Sequence, residues 1–127
     1  MKVRNNDELT VAFSPLIKFI EGLSDYISIL LLVTKSSYSG NFYILDSKGK
    51  RIVNTILEED GRIDGNDWDK AVEQTVKSLK RVENAYNKDQ LNVYTVTINK
   101  EDINISIQYL DNTGKAQNDA RKKWLFG

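Results

Sequence analysis

The sequence has no cysteine and no histidine. Without cysteine there are no disulfides, no thiolate nucleophiles and no Cys-based zinc sites, and nothing ties the chain to an oxidising compartment. Without histidine the commonest general base and the commonest imidazole metal ligand are missing, and a Ser-His-Asp triad cannot be built. The remaining residues carry no complete catalytic signature, so the expectation is a protein that is not an enzyme, with no catalytic residues, no cofactor and no metal. Charge of one sign is lacking as well: 18 basic and 18 acidic residues cancel. A general nucleic-acid binder needs a strongly basic face to neutralise phosphates, so direct nucleic-acid binding is not expected. The longest apolar run, Ile27 to Val33, is interrupted by Ser28 and flanked by Asp25 and Lys35. It falls far below the ~20 apolar residues of a bilayer-spanning helix. The opening MKVRNNDELTVAF turns polar and acidic, where a secretory signal needs an apolar core of roughly 7 to 15 residues. The expected location is cytoplasmic, with no membrane partner.

What is present suits one domain, 1–127, large enough to bury a core without covalent staples. Ser14-Pro15 before LIKFIEGL reads as a helix from about 14 to 22, with serine as the cap and proline in the first turn. YISILLLVTKS is rich in β-branched residues and has no helical period, which predicts a central strand covered on one or both faces. GNFYILDSKGKRIVNTIL predicts two strands, near 41–45 and 51–56, joined by a turn at Asp46-Ser47-Lys48-Gly49. From Asn66 the apolar residues Trp68, Val72, Val76, Leu79, Val82 and Tyr86 recur at helical steps, so a helix of about twenty residues follows, capped by Asn66 or Asp67. Two alternating strands come next, Tyr94, Val96 and Ile98 sharing one face of the first and Ile103, Ile105, Ile107 and Tyr109 one face of the second. The tail offers Asn118 or Asp119 as the cap of a short terminal turn ending in Trp124, Leu125 and Phe126. Trp124 either closes the core or anchors a partner from the surface. The order α-β-β-β-α-β-β predicts an α+β fold: an antiparallel sheet of about five strands with helices packed on one face.

One acidic stretch stands out. EEDGRIDGNDW, from Glu58 to Trp68, resembles the second half of an EF-hand loop, with Gly61 as its central glycine and Glu58, Asp60, Asp64 and Asp67 at ligand positions. The first half fails, because Ile56 falls where the first carboxylate belongs and the preceding segment reads as strand. Between Glu58 and Asp69 six carboxylates face one arginine, a local charge of −5. Such a patch suits a basic protein partner, and the same acids suit the start of a helix; both readings stand together. The basic clusters at Lys77–Arg81 and Lys115–Lys123 are interrupted and lack a row of aromatics, which makes them solvated faces.

The second half of the chain resembles the YezG-type immunity proteins, antitoxins against nuclease toxins of bacterial polymorphic and type VII secretion systems. The resemblance rests on Asp67-Trp68 at the long helix's start, the amphipathic helix, the strand ending IQYLD, and Arg121, Trp124, Phe126 and Gly127 at the end. It implies a bacterial protein that acts by binding a cognate toxin's C-terminal domain and blocking its active site. The candidate contacts are then Glu58, Glu59, Asp60, Asp64 and Asp67. The alternative is a small regulatory or scaffold module, phage-encoded for example, that binds another protein and has no toxin partner.

Overall fold

The structure, a computed structural model, describes residues 6–82 and 88–127. Five strands form one antiparallel sheet, β1 (Tyr26–Val33), β2 (Tyr38–Leu45), β3 (Arg51–Val53), β4 (Gln90–Asn99) and β5 (Asp102–Asp111), in the order β3-β2-β1-β4-β5. The helices are α1 (Asn6–Ala12), α2 (Ser14–Ile20), α3 (Asn54–Glu59), α4 (Gly65–Val82) and α5 (Gly114–Phe126). This is the expected α+β architecture. No helix among the described residues is long and apolar enough to cross a membrane.

β1 is the centre of the sheet, and its side chains are apolar on both faces. Ile27, Ile29, Leu31 and Val33 belong to one core, which Phe42, Tyr94 and Val96 extend across the sheet and α1, α2 and α4 cover. Leu30 and Leu32 point the other way, where Leu91 and Val93 join them beneath Ala116, Ala120 and Trp124 of α5. The helices expected from the periodicity therefore do share one face. The terminal segment is longer than expected, a 13-residue helix, and it covers the opposite face. Its cap is Thr113, whose hydroxyl accepts from the Ala116 amide at 3.0 Å, and Asn118 and Asp119 lie inside the helix. Trp124 closes this second core: its Nε1 donates to Ser28 Oγ at 2.8 Å and its ring lies 5.1 Å from that of Tyr43. Phe126 stays exposed.

Two local expectations are corrected. The strand near 51–56 stops at Val53, because the Asn54 side chain takes over the pairing: β2 and β3 align Tyr43 with Val53, and the next amide, Phe42 N–H, donates to Asn54 Oδ1 at 3.1 Å. The chain then turns into α3 with the donor satisfied, as a buried amide requires. At the amino end, Ser14 does not start a helix from coil. α1 runs into it through Phe13, whose N–H donates to Leu9 O and whose carbonyl accepts from Ile17 N. Leu9, Ala12, Phe13, Leu16 and Ile20 keep one buried stripe across Pro15.

α4 lies over β2 where the strand has no side chain. A Cβ at Gly40 would stand 2.8 Å from Val72 Cγ2. Trp68 Nε1 reaches the Gly40 carbonyl at 3.3 Å, and the indole packs 4.6 Å from Phe42 and 5.5 Å from Phe19. The Trp68 stripe is thus core, as its spacing predicts; Tyr86 falls outside the described residues. Gly40→Ala is expected to destabilise by about 1–3 kcal/mol through overpacking. Urea unfolding of Gly40→Ala, Val72→Ala and the double variant tests the contact, the double losing less than the sum of the singles.

Candidate functional site at the junction of α3 and α4

The acidic stretch forms the tight connection between α3 and α4, and its backbone explains most of its composition. α3 ends in a Schellman arrangement: Arg62 N donates to Leu57 O at 2.9 Å and Gly61 N to Glu58 O at 3.0 Å. Gly61 takes φ 74°, the left-handed conformation that this stop requires. Its glycine is therefore a helix terminator. Three residues on, Asp64 Oδ1 accepts from Asn66 N at 2.8 Å and from Asp67 N at 3.2 Å, so Asp64 caps α4. Asn66 and Asp67, the caps that the sequence suggests, instead sit in the first turn of α4. Glu58 folds over Gly65, where a Cβ would collide with its carboxylate. That position beside the amino end of α4 is electrostatically favourable for an acid.

The segment before the loop is helix, not the strand expected, so an entry helix does exist. It does not restore a calcium loop, because the first half of the loop alignment, from Ile56 to Glu59, is wound into α3. Among the described residues no group of three or more His, Cys, Asp or Glu is placed to hold a metal ion.

Glu58, Glu59, Asp60, Asp64 and Asp67 are all exposed, as is Asp69. The structure thus brings the five candidate contacts to one corner, beside the β2–β3 side of the sheet. Among the described residues none of the five is ion-paired with a lysine or arginine. Acids elsewhere behave differently. Glu73 meets Lys77 at 3.2 Å, and Asp119 meets Lys115 at 2.8 Å, a hydrogen bond and charge that hold the Asp119 carboxyl below its ordinary range and raise the Lys115 ammonium.

A second concave region was not anticipated. On the α5 side of the sheet a cleft of about 540 Å³ runs between the strands and the end of α5, with Tyr26, Tyr43, Thr97, Arg51, Lys123 and Trp124 on its walls. The Arg51 guanidinium lies 5.1 Å from the Tyr43 ring centroid and donates to the Leu125 carbonyl, which ties the sheet edge to the carboxyl end of α5. Burial raises the Tyr26 phenol above its ordinary value, with Tyr43 adding to the effect and the Thr97 hydrogen bond and Arg51 opposing it. The available signal was the even-numbered face of β1, where Tyr26 and Ser28 share one side by register with the odd-numbered Tyr43, Thr95 and Thr97 of its neighbours.

Comparison of the chain with family models, with curated proteins and with solved structures finds no significant match.

Two expectations follow from this geometry. Asp64→Ala should lower stability by about 1 kcal/mol, whereas Asp64→Asn or Asp64→Ser should keep most of it, since each supplies the capping oxygen; chemical denaturation of the three variants reads the difference. The Tyr26 pKa lies higher in the folded state than in the unfolded chain, so the folded state holds that proton longer. Its contribution is present below the ordinary value of 10.0 and is lost as pH rises through the folded pKa. Unfolding free energy measured from about pH 9 to 11 should fall less steeply in Tyr26→Phe than in the wild type.

Proposed function

We propose that this protein is a binding protein of the immunity type, one that docks on a cognate toxin domain, a nuclease by preference, and blocks its active site. The observation that carries the reading is the exposed acidic corner at the α3–α4 junction. Asp64 is used as a cap and Glu58 lies along the helix start, but Glu59, Asp60 and Asp67 are exposed at the tight α3–α4 connection and form no ion pair among the described residues. Nuclease grooves are basic because they must bind phosphates, so an acidic corner complements them in sign. The negative field then speeds encounter and fixes orientation, while apolar and backbone contacts at the interface centre supply most of the residence time. Together with the resemblance of the second half of the chain to immunity proteins, this favours binding over catalysis.

The decisive experiment is recovery of the partner. A pull-down from the native host should capture a toxin C-terminal domain, and a toxin gene should stand beside this one. With that domain in hand, Glu59→Lys, Asp60→Lys and Asp67→Lys combined should slow association by roughly tenfold or more at low salt, with a weaker effect at high salt and no loss of folding. Affinity that does not change on triple reversal would remove this corner from the mechanism.

A further inference from the structure

The sheet has two edges, and they are treated differently. The β3 edge is three residues long, carries Arg51, and gives way at once to a helix. The β5 edge is ten residues long and pairs with β4 in an unbroken register from Asn99↔Asp102 to Gln90↔Asp111, with no bulge. It contains no proline, lysine or arginine, and its only charges are the two terminal aspartates. Among the described residues no strand pairs with its outer side. Long, flat, uncharged edges are what folded proteins ordinarily avoid, because the outward N–H and C=O groups template another strand. Ile103 and Tyr109 on this strand are also exposed.

We infer that β5 is a dimerisation edge and that its occupant is β5 of a second copy, paired antiparallel about Ser106. The strand is self-complementary in that register. Ile105 meets Ile107 of the other copy, Ile103 meets Tyr109, and Asn104 meets Gln108, so apolar groups face apolar groups and amides face amides. Opposed residues have the same parity, which sets the two-fold axis perpendicular to the sheet and keeps the helix layers of both copies on matching sides. The result is a continuous ten-stranded sheet whose new ladder satisfies the outward backbone groups of residues 102–110 in both chains. Asp102 stands opposite Leu110, so the two terminal aspartates of the strand avoid each other. The proposal does not depend on the toxin reading, since it uses the opposite edge of the sheet.

The absence of cysteine gives a direct test. Ser106 is exposed and sits on the axis, so Ser106→Cys should form an interchain disulfide under mild oxidation. Asn104→Cys, on the same face but several residues off the axis, should not, because its copies lie beyond the ~7 Å reach of a disulfide. Sedimentation equilibrium of the wild type should show a reversible dimer. Ser106→Lys places like charges directly opposite and should raise the dimer dissociation constant by roughly fivefold. Its circular dichroism should stay unchanged, its unfolding should match the wild type at concentrations low enough that both are monomers, and mixing it with Ser106→Asp should restore dimers. A wild type that stays monomeric at about 0.1 mM overturns the proposal, as does crosslinking at residue 104 in preference to 106. Amide exchange in 102–111 that becomes protected only when a different protein binds assigns the edge to that partner instead and overturns it as well.

Discussion

The run from Ile27 to Val33 lies at the middle of the sheet with every residue buried, so the strand demands cover on both faces. A strand of this kind cannot be served by a single layer of helices, since each uncovered leucine would leave about 2 kcal/mol of burial unrealised. α1, α2 and α4 answer one face, and α5 answers the other with its Ala116-Ala120-Trp124 stripe. That second cover is thin. Two alanines let the helix approach Leu30, Leu32, Leu91 and Val93, and one tryptophan spans the rest, hydrogen-bonded to the single polar residue of the run, Ser28. Ser28, an interruption when read in sequence, is the point to which the terminal helix is fastened.

The sheet and the long helix were legible because each obeys one strong period. Alternation placed β4 and β5, and the three-and-four spacing from Trp68 placed α4. What escaped the reading was decided by single side chains acting on the backbone. Asn54 has the sequence surroundings of a strand residue, yet its amide oxygen substitutes for the next rung of the ladder and frees the chain to coil into α3. Thr113 begins α5 earlier than Asn118 or Asp119 would, and once the helix starts there its stripe reaches back over the sheet. α1 was hidden by Pro15, which suggests a start, although the apolar stripe from Leu9 to Ile20 continues through it. The five carboxylates Glu58, Glu59, Asp60, Asp64 and Asp67 are close in sequence but fall on the end of α3, the connection and the first turn of α4. The division of labour among them, with Asp64 holding two amides and Glu58 lying over Gly65, depends on hydrogen bonds that composition cannot reveal.

At the acidic corner, a capping carboxylate and carboxylates in no ion pair among the described residues share one stretch. A Schellman stop and an aspartate cap leave only the residues between Gly61 and Asp64 to reverse direction, so the connection is short and well defined. Its remaining carboxylates could have been placed anywhere polar if solubility were their whole purpose. They are grouped instead where two helix ends meet, and the nearest basic residue in sequence, Arg62, forms no ion pair with them among the described residues. In a chain of zero net charge the −5 of this stretch is offset by basic residues spread through the rest of the sequence.

The two edges of the sheet therefore carry different meanings. α3 and the acidic corner flank β3 and β2, and β5 lies at the far side, four strand spacings from β3. Pairing through β5 would leave both acidic corners at the outer ends of a ten-stranded sheet, about 43 Å apart in the hydrogen-bonding direction if the sheet were flat, and twist would turn them away from each other. Neither corner would be shielded by the pairing, and neither would sense the charge of its twin across several Debye lengths. A dimer arranged in this way would present its two acidic corners independently of each other. The long β5 edge and the acidic helix junction are then compatible features of one chain, since self-association would use the edge whose charges are confined to its two terminal aspartates and would spare the corner where the carboxylates cluster.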